Sequence, residues 1–211
     1  MIKVVGFDLD GTIADTIPIC LESINKAVLP YMEEEITDQD IVKTFGLNEK
    51  GMLMSIVGEK WEDALNDFYK HYQIMHKECT DVFQGIKELI DDLIEKGVKV
   101  VLITGKGKKS CDITLGELNL VDRFEQIITG SESGNNKASQ MKIIVDKYNI
   151  KPDEFCYIGD SVTDVHACRE ACVKCLSAAW AEGTNVMELK KINTPYVYSE
   201  ISELKKYLSD S

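Results

Sequence analysis

From residue 85 onward the sequence changes its hydrophobic period at short intervals, and that alternation limits the folds open to it. Residues 98–103, 127–128, 155–158, 175–178 and 196–198 are short runs rich in β-branched and other apolar side chains. Between them lie stretches of helical spacing at 85–96, from the "TGKGKKS" segment to about 118, and at 137–148, 162–171 and 200–208. Strands that alternate with helices return to one sheet in parallel, by right-handed crossovers. The pattern predicts an α/β fold: a Rossmann-like, doubly wound parallel sheet with helices on its faces. Residues 3–9 add one more buried strand at the start of the chain.

The alternation is interrupted after that first strand. From Asp15 to about Cys79 only helical spacing is found. Ile17, Cys20, Leu21, Ile24, Val28 and Tyr31 mark one helix, with Pro18 tolerated in its first turn. Thr37 reads as the cap of a short helix stopping at Gly46, and Asn48 as the cap of another stopping at Gly58. Trp61, Leu65, Phe68, Tyr72 and Met75 form the apolar face of a longer helix. Residues 15–80 are therefore expected to be an inserted helical domain, and residues 1–14 with 81–211 the sheet domain. A chain of 211 residues with 44% apolar residues can fill both.

Sites in open α/β sheets form beyond the carboxyl ends of the strands. Three predicted strand ends carry unusual residues. Asp8 and Asp10, two apart on an extended chain, point the same way into one cavity. Thr104, Gly105 and Lys106 follow the second strand, and Asp160 and Asp164 follow the strand ending at Ile158. Lys137 opens a helix between them. Neighbouring carboxylates repel and call for a cation. Oxygen ligands with room for water suit Mg²⁺. A cation, a hydroxyl and an ammonium together suit a phosphoryl group, and a carboxylate can attack phosphorus. Asp also favours turns in its own right, but that explains one strand end better than three.

The net charge of −12, with no basic stripe to offset it, argues against a nucleic-acid polymer or an anionic membrane as partner. No run approaches the roughly 18 apolar residues of a membrane span. The opening "MIKVVGFDLD" meets acid too early for a signal peptide. Seven cysteines without a secreted framework predict a reduced, cytoplasmic setting. Cys168, Cys172 and Cys175 have a spacing that can hold an iron–sulfur cluster, but are expected to pack as small apolar residues. His71, His76 and His166 are expected on the surface or on helix faces.

Asp8-Leu9-Asp10-Gly11-Thr12 with Asp15, then Leu102-Ile103-Thr104-Gly105-Lys106, Lys137, and Gly159-Asp160-Ser161-Val162-Thr163-Asp164, in that order, resemble the haloacid dehalogenase superfamily. The helical block resembles its small helical cap of the first type, and the phosphoglycolate phosphatase-like members are the most similar. The resemblance implies a Mg²⁺-dependent phosphatase acting through an aspartyl phosphate. Asp8 would be the nucleophile and Asp10 the acid, then base. Thr104 and backbone amides near Leu9 and Gly105 would hold the phosphoryl oxygens, and Lys137 would balance charge. Mg²⁺ would be held by Asp8, the Asp10 carbonyl and Asp160, with Asp164 in support. Lys106, and Lys50 from the 46–51 loop, are candidate substrate contacts. The substrate would be a small phosphorylated metabolite: phosphoglycolate, pyrophosphate, a sugar phosphate or a nucleotide. The assembly would be a monomer or weak homodimer. A phosphomutase is the alternative, although "DGT" and "GDS" lean towards hydrolysis; a non-catalytic binding protein is the second. The sequence departs from the resemblance at Ala138-Ser139-Gln140, where many members place prolines, which keeps Lys142 as a second candidate lysine. It departs again at Ala171-Cys172, where members often have Ala-Gly.

Overall fold

The computed structural model describes residues 1–79, 81–134 and 136–210. Strand β1 (Val4–Phe7) leads into helices α1 (Ile17–Val28), α2 (Asp38–Val42), α3 (Glu49–Val57) and α4 (Trp61–Cys79). There follow α5 (Ile86–Glu95), β2 (Lys99–Ile103), α6 (Lys108–Glu117), β3 (Gln126–Ile128), α7 (Lys137–Tyr148), β4 (Phe155–Gly159), α8 (Val162–Glu170), β5 (Lys174–Ala178), α9 (Val186–Asn193), β6 (Val197–Tyr198) and α10 (Ile201–Ser209). The six strands form one parallel sheet in the order β3-β2-β1-β4-β5-β6.

β1 lies at the centre of the motif-bearing strands because its residues are apolar or glycine on both faces. Val5 pairs with Val100 of β2 and with Cys156 of β4. On one face Val5 and Phe7 pack with α5, α6 and α10 through residues such as Ile90, Leu115 and Leu204. On the other, Val4, Phe155 and Tyr157 meet Met141, Ile144, Val165 and Leu189 from α7, α8 and α9. A Cβ at Gly6 would lie 2.9 Å from the Tyr157 ring, so the bare backbone there is what lets both aromatics close over the strand.

Helices α1–α4 bury a separate cluster that includes Ile24, Ala27, Ile41, Leu53, Phe68 and Tyr72, and Ile113 of α6 packs against it. Phe68 stacks on Tyr72 with ring centroids 5.2 Å apart. Thr37 caps α2 as its sequence suggests, but the helix stops at Val42, short of Gly46. There the Thr44 hydroxyl donates to the Ile41 carbonyl and competes with the helical ladder. Asn48 caps α3, its Oδ1 accepting from the Gly51 N–H at 3.0 Å, and Gly58 ends it at φ +56°. The sequence reading placed no helix over 186–193. α9 is capped by Asn185 but buries only Leu189, too little to make an apolar stripe.

Candidate active site

The site is built where the ladder of β1 runs out. The Asp8 N–H donates to the Ile158 carbonyl at 2.8 Å, one residue beyond the strand. The chain then folds over Leu9, whose carbonyl accepts from the N–H groups of Thr12, Ile13 and Ala14. The turn needs Gly11 twice. Its φ is +72°, and a Cβ there would lie 2.8 Å from Asp160 Cγ.

Asp8 Oδ1 accepts from the Leu9 N–H at 2.8 Å, and Oδ2 from Lys137 Nζ at 2.7 Å. The Leu9 amide, expected on a phosphoryl oxygen, is thus taken up by Asp8 itself. Lys137 begins α7 behind its cap Asn136 and reaches on to Asp164 Oδ1 at 2.5 Å. Asp164 is fixed from below: its Oδ2 accepts from the Ser161 N–H at 3.1 Å and the Ser161 hydroxyl at 2.6 Å. Its own N–H returns a bond to Ser161 Oγ, closing a capping box on α8.

Asp8, Asp160 and Asp164 can each offer one oxygen within 4.8 Å of the others. A single ammonium, Lys137, sits among these three carboxylates. Burial pushes Asp8 up to about 6, with Lys137 pulling down and Asp164 and Asp10 adding to the rise. Burial pushes Asp160 up to about 8, helped by Asp8 and Asp164 and opposed by Lys137. Burial works against the charge on Lys137, but Asp164 and Asp8 outweigh it and raise its pKa. An oxygen-only donor set with more negative than positive charge, held open by a glycine, fits a hard divalent cation such as Mg²⁺.

Thr104 is buried at the end of β2. Its Oγ1 accepts from the Lys106 N–H at 3.2 Å, and a hydroxyl that accepts can still donate. Gly105 lies between them in the same turn. Lys106 is also buried, with Nζ 3.1 Å from Asp10 Oδ1, 3.9 Å from Glu49 Oε1 and 4.7 Å from the Tyr72 ring centroid. Asp10 Oδ1 accepts a second, very short bond from the Thr16 hydroxyl.

Lys50 is not brought to the cluster. It pairs with Glu132 at 3.2 Å and lies over the Trp61 ring, partly in solvent. The residue before it, Glu49, is the one turned inward. Glu49, with Met52 and Leu53, forms an i, i+3, i+4 face that is buried, and that spacing is the signal from which it could have been found. Thr16 is a second buried polar partner, with no signal in the sequence pattern. Lys142 pairs with Glu170 on the surface, whereas Lys137 is inside. His76, expected on the surface or on a helix face, lies on the inward face of α4. It is buried, with Nε2 3.0 Å from Thr114 Oγ1, which in turn meets the Tyr72 hydroxyl at 2.9 Å. Burial lowers its pKa to about 4. Cys168 and Cys175 are buried, as expected of packing residues. Cys172 is exposed and takes a left-handed φ of +57°, which is why a glycine suits that position.

A family model described as haloacid dehalogenase-like hydrolase matches residues 5–178. A phosphoglycolate phosphatase from Vibrio parahaemolyticus is 26% identical over 229 residues, covering 100% of this chain and 97% of its own. The pyrophosphatase PpaX of Bacillus cereus is 23% identical over 212 residues, covering 99% and 97%. The crystal structure of a hydrolase from Pseudomonas syringae superposes with a TM-score of 0.81 at 21% identity, over 100% of this chain and 99% of that one.

Proposed function

Because the chain belongs to the haloacid dehalogenase-like hydrolase family, we propose that Asp8, Asp10, Thr104, Lys137, Asp160 and Asp164 hydrolyse a small phosphate ester with Mg²⁺ and a covalent aspartyl phosphate. The family match, and relatives similar along its whole length, make the protein a phosphatase of this family. The observation that carries the covalent mechanism is the setting of Asp8. It is a buried carboxylate with one oxygen on a backbone amide and the other on an ammonium, facing two further carboxylates.

Asp8, Asp160, Asp164 and the Asp10 carbonyl would hold Mg²⁺, which when bound draws charge from the phosphoryl oxygens. Asp8 attacks phosphorus as the bond to the leaving oxygen breaks, and Asp10 gives that oxygen a proton. A water then attacks the aspartyl phosphate while Asp10 takes up its proton, returning Asp8 and releasing phosphate. Thr104 Oγ1 donates to a phosphoryl oxygen, and the Lys137 ammonium keeps Asp8 and Asp164 from repelling the anion. Helices α1–α4, residues 15–80, act as a lid that excludes water and opens for release.

The two relatives are named for phosphoglycolate and pyrophosphate, whose leaving groups are both anionic, and that is the substrate class assigned to this site. Lys106, its charge shared with Asp10 and Glu49, is the cation beside the acid. The free thiols of Cys20, Cys111, Cys156, Cys168 and Cys175, all buried, suit a cytoplasmic enzyme, and we assign it there as a monomer or weak homodimer. Among the described residues no helix is long and apolar enough to cross a membrane. The test is phosphate release across phosphoglycolate, pyrophosphate, a sugar phosphate and a nucleotide, with Mg²⁺ and with chelator. Release only with Mg²⁺, fastest for the first two and below about 1% of wild type in Asp8→Asn, is the expected result. Release indifferent to chelation or to Asp8→Asn overturns the reading.

A further inference from the structure

We infer that Glu49 is a positioning residue: it clasps the helical layer to the sheet domain and, through Lys106, holds Asp10 in place. The role of Asp10 in this statement rests on the function proposed above; the clasp itself does not. Glu49 is the first residue of α3 and is 3% exposed. Its partners lie on the connection from β2 into α6 and in the first turn of α6. Oε2 accepts from the Gly107 N–H at 2.8 Å, Oε1 accepts a very short bond from the Ser110 hydroxyl, and Lys106 Nζ stands 3.9 Å from Oε1. A side chain at Gly107 would overlap Glu49 Oε2, so the glycine there admits the carboxylate. The start of α6 also presents the positive end of its dipole to it.

Two neighbours join the same seam. The Asn48 N–H donates to the Ser131 carbonyl at 3.0 Å, and a Cβ at Gly51 would lie 2.7 Å from the Glu132 carbonyl oxygen. The start of α3 therefore touches the sheet domain at two places, the β2–α6 connection and the segment between β3 and α7. Asp8, Thr104 and Lys106 are each at most 8% exposed, and in this proposal the seam parts to admit substrate. A buried carboxylate is costly without donors, so Glu49 returns to its three partners as the seam closes. Lys106 is then held between two carboxylates, Asp10 and Glu49, over the Tyr72 ring. When Glu49 withdraws, Lys106 loses one of its two anions, and the arrangement around Asp10 loosens.

The test uses the whole protein with Glu49→Ala, Glu49→Gln, Ser110→Ala and the Glu49→Gln/Ser110→Ala pair. Without substrate, Glu49→Ala speeds amide hydrogen exchange at Gly107 and at residues 49–53 while β1 and β4 stay protected. Unchanged exchange at Gly107 overturns the clasp. With an alkyl phosphate, Glu49→Ala lowers kcat/KM by roughly 10²-fold, the scale of an approximately 1 Å misplacement. p-Nitrophenyl phosphate, whose leaving group needs no proton, loses much less. The paired variant loses less than the sum of its two single variants, because both substitutions weaken one contact. Additive losses, or equal losses on both substrates, overturn the link to Asp10. The exchange measurement needs no reaction, so failure of the clasp and failure of the phosphatase reading are read separately. Should Glu49→Ala fail to fold, Ser110→Ala tests the clasp by exchange at Gly107, and Glu49→Gln, which removes the charge facing Lys106, tests the link to Asp10.

Discussion

Gly11→Ala perturbs the site without touching a charged group, and its size can be worked from the structure. The residue stands at φ +72°, and a Cβ there meets Asp160 Cγ at 2.8 Å. Forcing an L-residue into the left-handed region costs about 1–2 kcal/mol. Ordinary carbon–carbon contact is about 3.5–4.0 Å, so the Asp160 carboxylate has to retreat by roughly 1 Å. Gly159, just before it, is held in the ladder opposite Ser177, so the side chain turns away in place of the strand. Two effects follow. The melting temperature drops by roughly 2–8 °C, at about 2–4 °C per kcal/mol for a chain of this size. Mg²⁺ binding weakens by about 10–100-fold, as for other losses of ligand orientation. The assay is thermal unfolding against Mg²⁺ concentration. At about 100 times the wild-type Kd, the ion stabilises wild type by about 2.7 kcal/mol. A variant binding about 100-fold more weakly gains about 0.4 kcal/mol at the same concentration. A Gly11→Ala protein that gains as much from Mg²⁺ as wild type would refute the argument that this glycine makes room for a ligand.

Lys137→Met leaves Asp8 and Asp164 buried without their ammonium, a loss of about 3–5 kcal/mol that denaturant unfolding at pH 7 should show. A loss under about 1 kcal/mol would mean the ion pairs at 2.7 and 2.5 Å are not compensating those charges. The metal-free protein should also have a pH signature. Asp8 and Asp160 are raised from 3.8 to about 6 and about 8, so between pH 4 and 8 the folded state binds more protons than the unfolded one. Stability from these groups is then greatest at low pH and falls as pH rises through that window. Subtracting the curve of Asp160→Asn in chelator isolates the Asp160 share, and a flat difference would contradict the burial argument.

The fold was legible because strands on this sheet are buried on both faces and therefore read as apolar runs, as in Val4–Phe7 and Phe155–Gly159. α7 was visible to its first residue, since Lys137 follows a polar loop and precedes an apolar face. α9, which buries Leu189 alone, was not, and α2 was legible at its Thr37 cap but not at its end, where a side-chain bond from Thr44 leaves no trace in the periodicity. The cluster of Asp8, Asp160, Asp164 and Lys137 was legible for a different reason, because the ends of adjacent parallel strands meet in space. What the helical layer contributes was harder to read. The 46–51 loop was singled out, but a lysine attracts attention where the anion is expected, and the buried member is the acid beside it. That His76 faces inward was not legible, because its burial depends on α6, far away in the sequence.

The central claim is a phosphoryl group carried on Asp8, and Asp10→Asn offers the most direct view of it. With p-nitrophenyl phosphate and Mg²⁺, formation of the aspartyl phosphate needs no acid, but its hydrolysis needs the base that this variant lacks. Rapid mixing followed by acid quench and mass analysis reads both products at once. The account predicts a burst of one nitrophenolate per enzyme molecule, then slow turnover, with one phosphoryl group on the peptide that contains Asp8. Steady turnover with no burst, or a phosphoryl group on any other residue, would contradict it.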